Sequence, residues 1–187
     1  MALCKACESA LRAAPGGRGA VAGVGAVVWA APYSGVARDL VAGLKFGRRL
    51  RLAGVAACAL AAALGDDLAR RPVVPVPAAP ARRRVRGFDP AEEIATALAA
   101  RTGTEMRPCL SRADGPRQVG RRRAERIASP PRVRVTAPPP RGALLVDDVL
   151  TTGSTLRACA AALIGAGSET VAAAVFARAL GGGRGCA

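Results

Sequence analysis

The chain has 187 residues, a formal charge of +15 and 51% hydrophobic residues, 44 of them alanine. That leaves enough larger apolar side chains for one alanine-rich core and too few for two. It has no histidine, which excludes a Ser-His-Asp triad, a Cys-His pair and any His-ligated metal site, and its five aromatics argue against a base-stacking nucleic-acid platform.

The chain opens with Cys4-x-x-Cys7. No basic-then-apolar leader is recognisable, and no apolar run reaches the roughly 20 residues that crossing a bilayer needs. The expectation is therefore a cytoplasmic protein with free thiols and no membrane insertion. A Gly-rich stretch follows, and Val24–Trp29 reads as one short strand. Val36, Leu40, Val41 and Leu44, then Leu60 and Leu64, recur at helical spacing, which predicts two helices broken near Phe46–Gly47.

Val73–Val76 reads as a short buried strand ended by Pro77, followed by an Arg-rich loop with Arg82, Arg83, Arg84 and Arg86. A helix start is well marked at Asp89, a natural N-cap, with Pro90 in the first turn and Glu92 three residues past the cap. Gly103 ends that helix. Residues 107–142, rich in Arg and Pro, predict loops or a mobile arm. Ala143–Val146, Thr155–Ala166 and Thr170–Phe176 then read as strand, helix and strand, a βαβ unit that implies a parallel sheet.

The strongest signal is Leu144-Leu145-Val146-Asp147-Asp148-Val149-Leu150-Thr151-Thr152-Gly153-Ser154-Thr155. A buried strand delivers adjacent acids to its carboxyl end, where α/β folds bind ligands. A hydroxyl-rich turn with one glycine then opens a helix, whose free amides suit a phosphate. Carboxylates would repel that phosphate, so they should face hydroxyls elsewhere on the ligand. A 5-phosphorylated ribose fits the whole segment. The side-by-side acids are expected to strain the strand end slightly. Any one of these pieces occurs in ordinary strands and capped helices; their contiguity is what points to a ligand.

This segment resembles the 5-phosphoribosyl-1-pyrophosphate (PRPP) signature of type I phosphoribosyltransferases, and the rest of the chain resembles their ComF branch, linked to competence for DNA uptake. The branch resemblance lies in Tyr33-Ser34-Gly35, Leu44-Lys45-Phe46, Val74-Pro75-Val76-Pro77, Arg86-Gly87-Phe88, Gln118 and Arg126. Asp89, Pro90 and Ser129 depart from the branch pattern, which has Asn, Gln and Asn there, and this puts the choice of acceptor in question. The branch also carries two Cys-x-x-Cys pairs that bind zinc. Here the next cysteine after Cys7 is Cys58, so zinc is not expected, a pair bridging a homodimer being left open.

The resemblance implies an α/β fold, a type I phosphoribosyltransferase-like parallel sheet flanked by helices, over residues 35–187. Residues 1–34 would be a small degenerate N-terminal Cys-x-x-Cys segment. It implies that Asp147 and Asp148 hold the ribose hydroxyls and act as the catalytic acids. Thr151, Thr152, Gly153, Ser154 and Thr155 would hold the 5-phosphate, and Arg82, Arg84 and Arg86 would clamp pyrophosphate. Mg²⁺ would arrive with that pyrophosphate, with no dedicated protein metal site. The expected activity is transfer of phosphoribose from PRPP to an unknown acceptor. The alternative is a non-catalytic accessory protein for DNA uptake, with single-stranded DNA or uptake proteins as partners. Residues 112–134 hold eight arginines and suit a lid over PRPP, a DNA-docking strip or a merely solvated loop. The same Arg excess is also the bias of a GC-rich coding sequence.

Overall fold

Two strands that read as near-continuous apolar runs set the architecture. Strand β6 (Gly142–Leu150) pairs in parallel with β7 (Thr170–Arg178) in the register Leu144↔Ala172 and Val146↔Ala174. Such runs are the mark of strands buried on both faces. The computed structural model describes residues 3–113 and 131–179. In chain order the other elements are α1 (Lys5–Arg12), β1 (Gly17–Val21), β2 (Val24–Pro32), α2 (Gly35–Lys45), α3 (Arg51–Ala63), α4 (Asp66–Ala69), β3 (Val73–Pro75), α5 (Pro80–Arg86), α6 (Pro90–Thr102), β4 (Leu110–Arg112) and β5 (Val133–Val135). Helix α7 (Ser154–Gly165) joins β6 to β7.

The five-stranded sheet runs β1-β2-β7-β6-β3, parallel except for β1 at its edge. The pleat sorts its side chains into two cores. Leu144, Val146, Ala174 and Phe176 pack with Leu40, Leu44, Leu60, Ile94 and Leu98 of α2, α3 and α6. Leu145, Ala173 and Val175 pack on the other face with Leu156, Cys159 and Leu163 of α7. The result is a helix–sheet–helix sandwich, its parallel strands as the βαβ reading expects and its flanking helices as the resemblance implies. Among the described residues, no helix is long and apolar enough to cross a membrane.

Three local readings change. Val24–Trp29 extends to Pro32 and pairs with β1, a strand hidden in the Gly-rich stretch. A Cβ on Gly17 would lie 2.5 Å from the Trp29 ring, so the missing side chain makes room for the indole, which Arg178 caps 4.3 Å from the ring centroid. The Arg-rich segment expected as a loop is helix α5, started by Pro80 and closed by Gly87 in the left-handed conformation (φ 80). Within 107–142, β4 and β5 form a separate antiparallel ribbon. Residues 114–130 of the expected arm, with Arg117, Gln118, Arg121, Arg122, Arg123, Arg126 and Ser129, lie outside the described residues.

The helix starting at Asp89 is observed as α6, capped by the Asp89 side chain and ended at Gly103 (φ 70). Strands β1 and β2 precede residue 34 yet belong to the main sheet, through Val27↔Ala173 and Val28↔Ala174.

Candidate functional site

Asp147 and Asp148 occupy the carboxyl end of β6, and the pleat sends them to opposite sides. Asp148 turns toward the α2 side. It is 8% exposed, and its Oδ1 lies 2.8 Å from the Lys45 ammonium. Lys45 is the last residue of α2, where the helix carbonyls favour a cation, and buried Leu40, Val41 and Leu44 fix that helix. Asp147 Oδ1 accepts the Asp148 backbone N–H at 2.8 Å. Burial pushes the Asp147 carboxyl well above the usual carboxylate range, and the Asp148 charge adds to the effect. The Asp148 amide and Lys45 oppose it.

On the α7 side, Asp147, Thr151, Gly153, Ser154 and Thr155 line a hollow of about 30 Å³. Gly153 takes φ 74 and ψ 4, and a Cβ there would lie 2.8 Å from Val21 Cγ1. Only glycine meets both demands. Thr152 Oγ1 accepts the Ser154 N–H at 3.4 Å and donates to Ser154 Oγ at 3.2 Å, while Arg157 Nη1 donates to the Thr152 carbonyl at 3.2 Å. These bonds shape the turn so that the amino end of α7, rich in donors without intrahelical partners, opens on the hollow. The arrangement suits a small anion beside a hydrogen-bond-accepting carboxylate.

The neighbouring strand end is held by one carboxylate. Val76 N–H donates to the Val146 carbonyl at 2.9 Å, which sets the segment after β3 beside Asp147. Asp89 Oδ2 accepts the Ala78 N–H at 2.7 Å and its Oδ1 accepts the Ala91 N–H at 3.1 Å. Asp89 thus caps α6 and pins the entry to α5 together. Burial raises its pKa, and those amide bonds work against the rise. On α5, Arg83 pairs with Glu92 at 3.1 Å, and the Arg86 guanidinium lies 5.3 Å from the centroid of the 76%-exposed Phe46 ring. Phe46 directly follows Lys45, so Arg86 lies against the residue next to the partner of Asp148. Arg82 and Arg84 lie on the exposed surface of the same helix.

The structure therefore brings Asp147 together with Thr151, Gly153, Ser154 and Thr155, and leaves Asp148 on the opposite side of the strand beside α2. It adds Lys45, which the sequence reading had not placed in the site. A signal was present: Lys45 is one of only two lysines among 28 basic residues. Cys159, behind Asp147 in α7, is buried, and burial followed by the Asp147 charge pushes its thiol up to about 12. Among the described residues, no group of three or more His, Cys, Asp or Glu side chains could hold a metal ion.

The sequence pattern of the phosphoribosyl transferase domain matches residues 84–184, more than half of the chain. The chain belongs to that family, and its mostly parallel sheet flanked by helices is a fold of the phosphoribosyltransferase type. Membership makes phosphoribosyl transfer the general reaction class and implies PRPP as its substrate. No curated protein matches the chain. The matched span begins inside α5, so Lys45 and the β1–β2 hairpin lie before it.

Proposed function

We propose that this protein is a ComF-type phosphoribosyltransferase that binds PRPP–Mg²⁺ at the carboxyl end of β6 and transfers phosphoribose to an acceptor. The observation that carries the reading is the hollow shared by Asp147 and the Thr151–Thr155 turn at the start of α7. A 5-phosphate in that hollow meets the helix N-terminus and the hydroxyls, while Asp147 accepts a ribose hydroxyl beside it. Asp148 takes the second hydroxyl. Lys45, whose ammonium has three donors, can keep Asp148 while facing an anion. Arg86, with Arg82 and Arg84 on α5, takes the pyrophosphate side.

As the C1–oxygen bond to pyrophosphate breaks and the C1–acceptor bond forms, positive charge develops on the ribose carbon. Fixed carboxylates favour that charge, so placement and electrostatics carry catalysis without a histidine. Mg²⁺ arriving with the pyrophosphate would supply neutralisation of the leaving group, with no dedicated protein site needed, while Asp147 and Asp148 would offer hard oxygen donors beside it. Release of pyrophosphate from PRPP–Mg²⁺, measured across a panel of nucleobase acceptors, tests the reading. Acceptor-dependent release is expected; binding of PRPP with no release for any acceptor or water contradicts transfer.

The accessory reading in DNA uptake rests on the +15 charge and on two exposed arginines, Arg132 just before β5 and Arg134 within it. It requires affinity for single-stranded DNA that falls steeply with salt and is unchanged in Asp147→Asn.

A further inference from the structure

Cys4 and Cys7 take no part in the strand-end site, yet their placement is specific. Cys4 is the N-cap of α1 (φ −68, ψ 155), and its Sγ accepts the Cys7 backbone N–H at 3.5 Å. Cys4 is exposed and Cys7 half-buried, so a reagent from solvent meets Cys4 first. Across the first turn of a helix, residues three apart have Cα atoms about 5 Å apart. That lies inside the range of about 4.4–6.8 Å that a disulfide bridges. A tetrahedral zinc site needs about four donors. No third Cys, His, Asp or Glu joins the pair in a metal-holding group among the described residues.

The two thiols also differ in readiness. The Cys7 amide, then the Cys7 thiol, hold the Cys4 pKa below the ordinary thiol value. Cys7 is pushed the other way, first by its hydrogen bond to Cys4, then by the Cys4 charge, and more weakly by Asp39 on α2. Cys4 is thus the easier of the two thiols to ionise, the division that thiol–disulfide exchange uses.

We propose that Cys4 and Cys7 form a redox-active dithiol, which a low-molecular-weight disulfide closes into an intramolecular disulfide. The Cys4 thiolate attacks one sulfur of the external disulfide, forming a mixed disulfide and expelling one thiolate. Cys7 then gives its proton to solvent and attacks the Cys4 sulfur, expelling the second thiolate. The protein loses two electrons and the external disulfide gains them; excess thiol reverses both steps. Cys58 is exposed but stands alone on α3, and Cys109 and Cys159 are buried, so none of these offers the same closure.

The test equilibrates the full chain at graded ratios of oxidised to reduced glutathione, followed by acid quench, alkylation, trypsin and mass spectrometry. Lys5 separates the two cysteines, so a Cys4–Cys7 bond joins the peptide ending at Lys5 to the peptide Ala6–Arg12. The joined pair is expected to grow with the oxidised fraction and to be unchanged in Cys58→Ser. It is expected to vanish in Cys4→Ser and in Cys7→Ser, the latter keeping a glutathione adduct on Cys4. Recovery of both cysteines unlinked at every ratio overturns the proposal. So does linkage found only between copies on a non-reducing gel, or one zinc retained per two chains with both thiols protected.

Discussion

The Lys45 ammonium lies 2.8 Å from Asp148 Oδ1, with 20% and 11% of the two side chains exposed. The second of the adjacent acids is therefore charge-paired within the fold, while Asp147 has only the Asp148 amide as its hydrogen-bond partner among the described interactions. The sequence expectation of two acids straining one strand end holds differently for each. Asp147 carries the strain, and Asp148 contributes a partly buried ion pair.

Lys45→Met keeps the stem of the side chain and leaves Asp148 unpaired. Breaking a buried pair costs about 3–5 kcal/mol, and the remaining water contact here lowers the expected loss to about 2 kcal/mol. Urea denaturation should show an earlier midpoint for Lys45→Met and for Asp148→Asn. Unchanged midpoints would mean that the pair adds nothing.

Asp147 gives the opposite sign. Its folded-state pKa is raised, so the native protein holds a proton between the ordinary carboxylate value of about 3.9 and the raised one. Stability is fully retained on the acid side of that window and falls as pH rises through it. Asp147→Asn should therefore be more stable than wild type near neutral pH and level with it in acid. Asp89, also raised, keeps its share of the slope in both proteins. Denaturant midpoints from about pH 4 to 8 decide this; a variant that loses stability at neutral pH contradicts it.

Gly153→Ala meets two obstacles at once, a φ of 74 and a contact of 2.8 Å to Val21 Cγ1. Strain of this kind costs about 1–3 kcal/mol. The same change at Gly23, which has open space around its Cβ position, meets only the backbone term. Gly153→Ala should lose more stability than Gly23→Ala, and a phosphate-bearing ligand should bind it less well. Equal losses would show that the turn does not need its close approach to β1.

Arg82→Ala combined with Arg86→Ala removes guanidinium groups assigned to pyrophosphate and leaves the β6–α7 hollow untouched. PRPP affinity should fall by about tenfold or more, as expected for lost charge-assisted bonds. Ribose 5-phosphate, which lacks the pyrophosphate, should bind as it does to wild type. Parallel losses for both ligands in competition binding would place these arginines elsewhere.

The parts of the fold that could be read in advance were those where local chemistry and tertiary position agree. Asp89, Pro90 and Gly103 mark α6 because caps act locally, and β6 and β7 show their burial as near-continuous apolar runs. Strand β1 escaped because Gly17 and Gly19 serve the Trp29 ring, a partner twelve and ten residues away that no local pattern reveals. Helix α5 escaped because its Arg-rich sequence buries nothing and shows no apolar stripe. At the site, the 147–155 segment was legible since one strand and one turn carry it. Lys45 was not, because it meets Asp148 only after α2 packs on the sheet.

Calorimetric titration of PRPP–Mg²⁺ into wild type, Asp147→Asn and Asp148→Asn, each confirmed folded by circular dichroism, tests the central claim most directly. Each substitution replaces a charged acceptor with a neutral amide of the same shape, and hydrogen bonds to charged groups contribute about 1.5–3 kcal/mol. Wild type is expected to bind, and each folded variant to bind about tenfold or more weakly. Folded variants that bind PRPP as tightly as wild type, or a wild type that does not bind it, would contradict the assignment of these acids to the ribose.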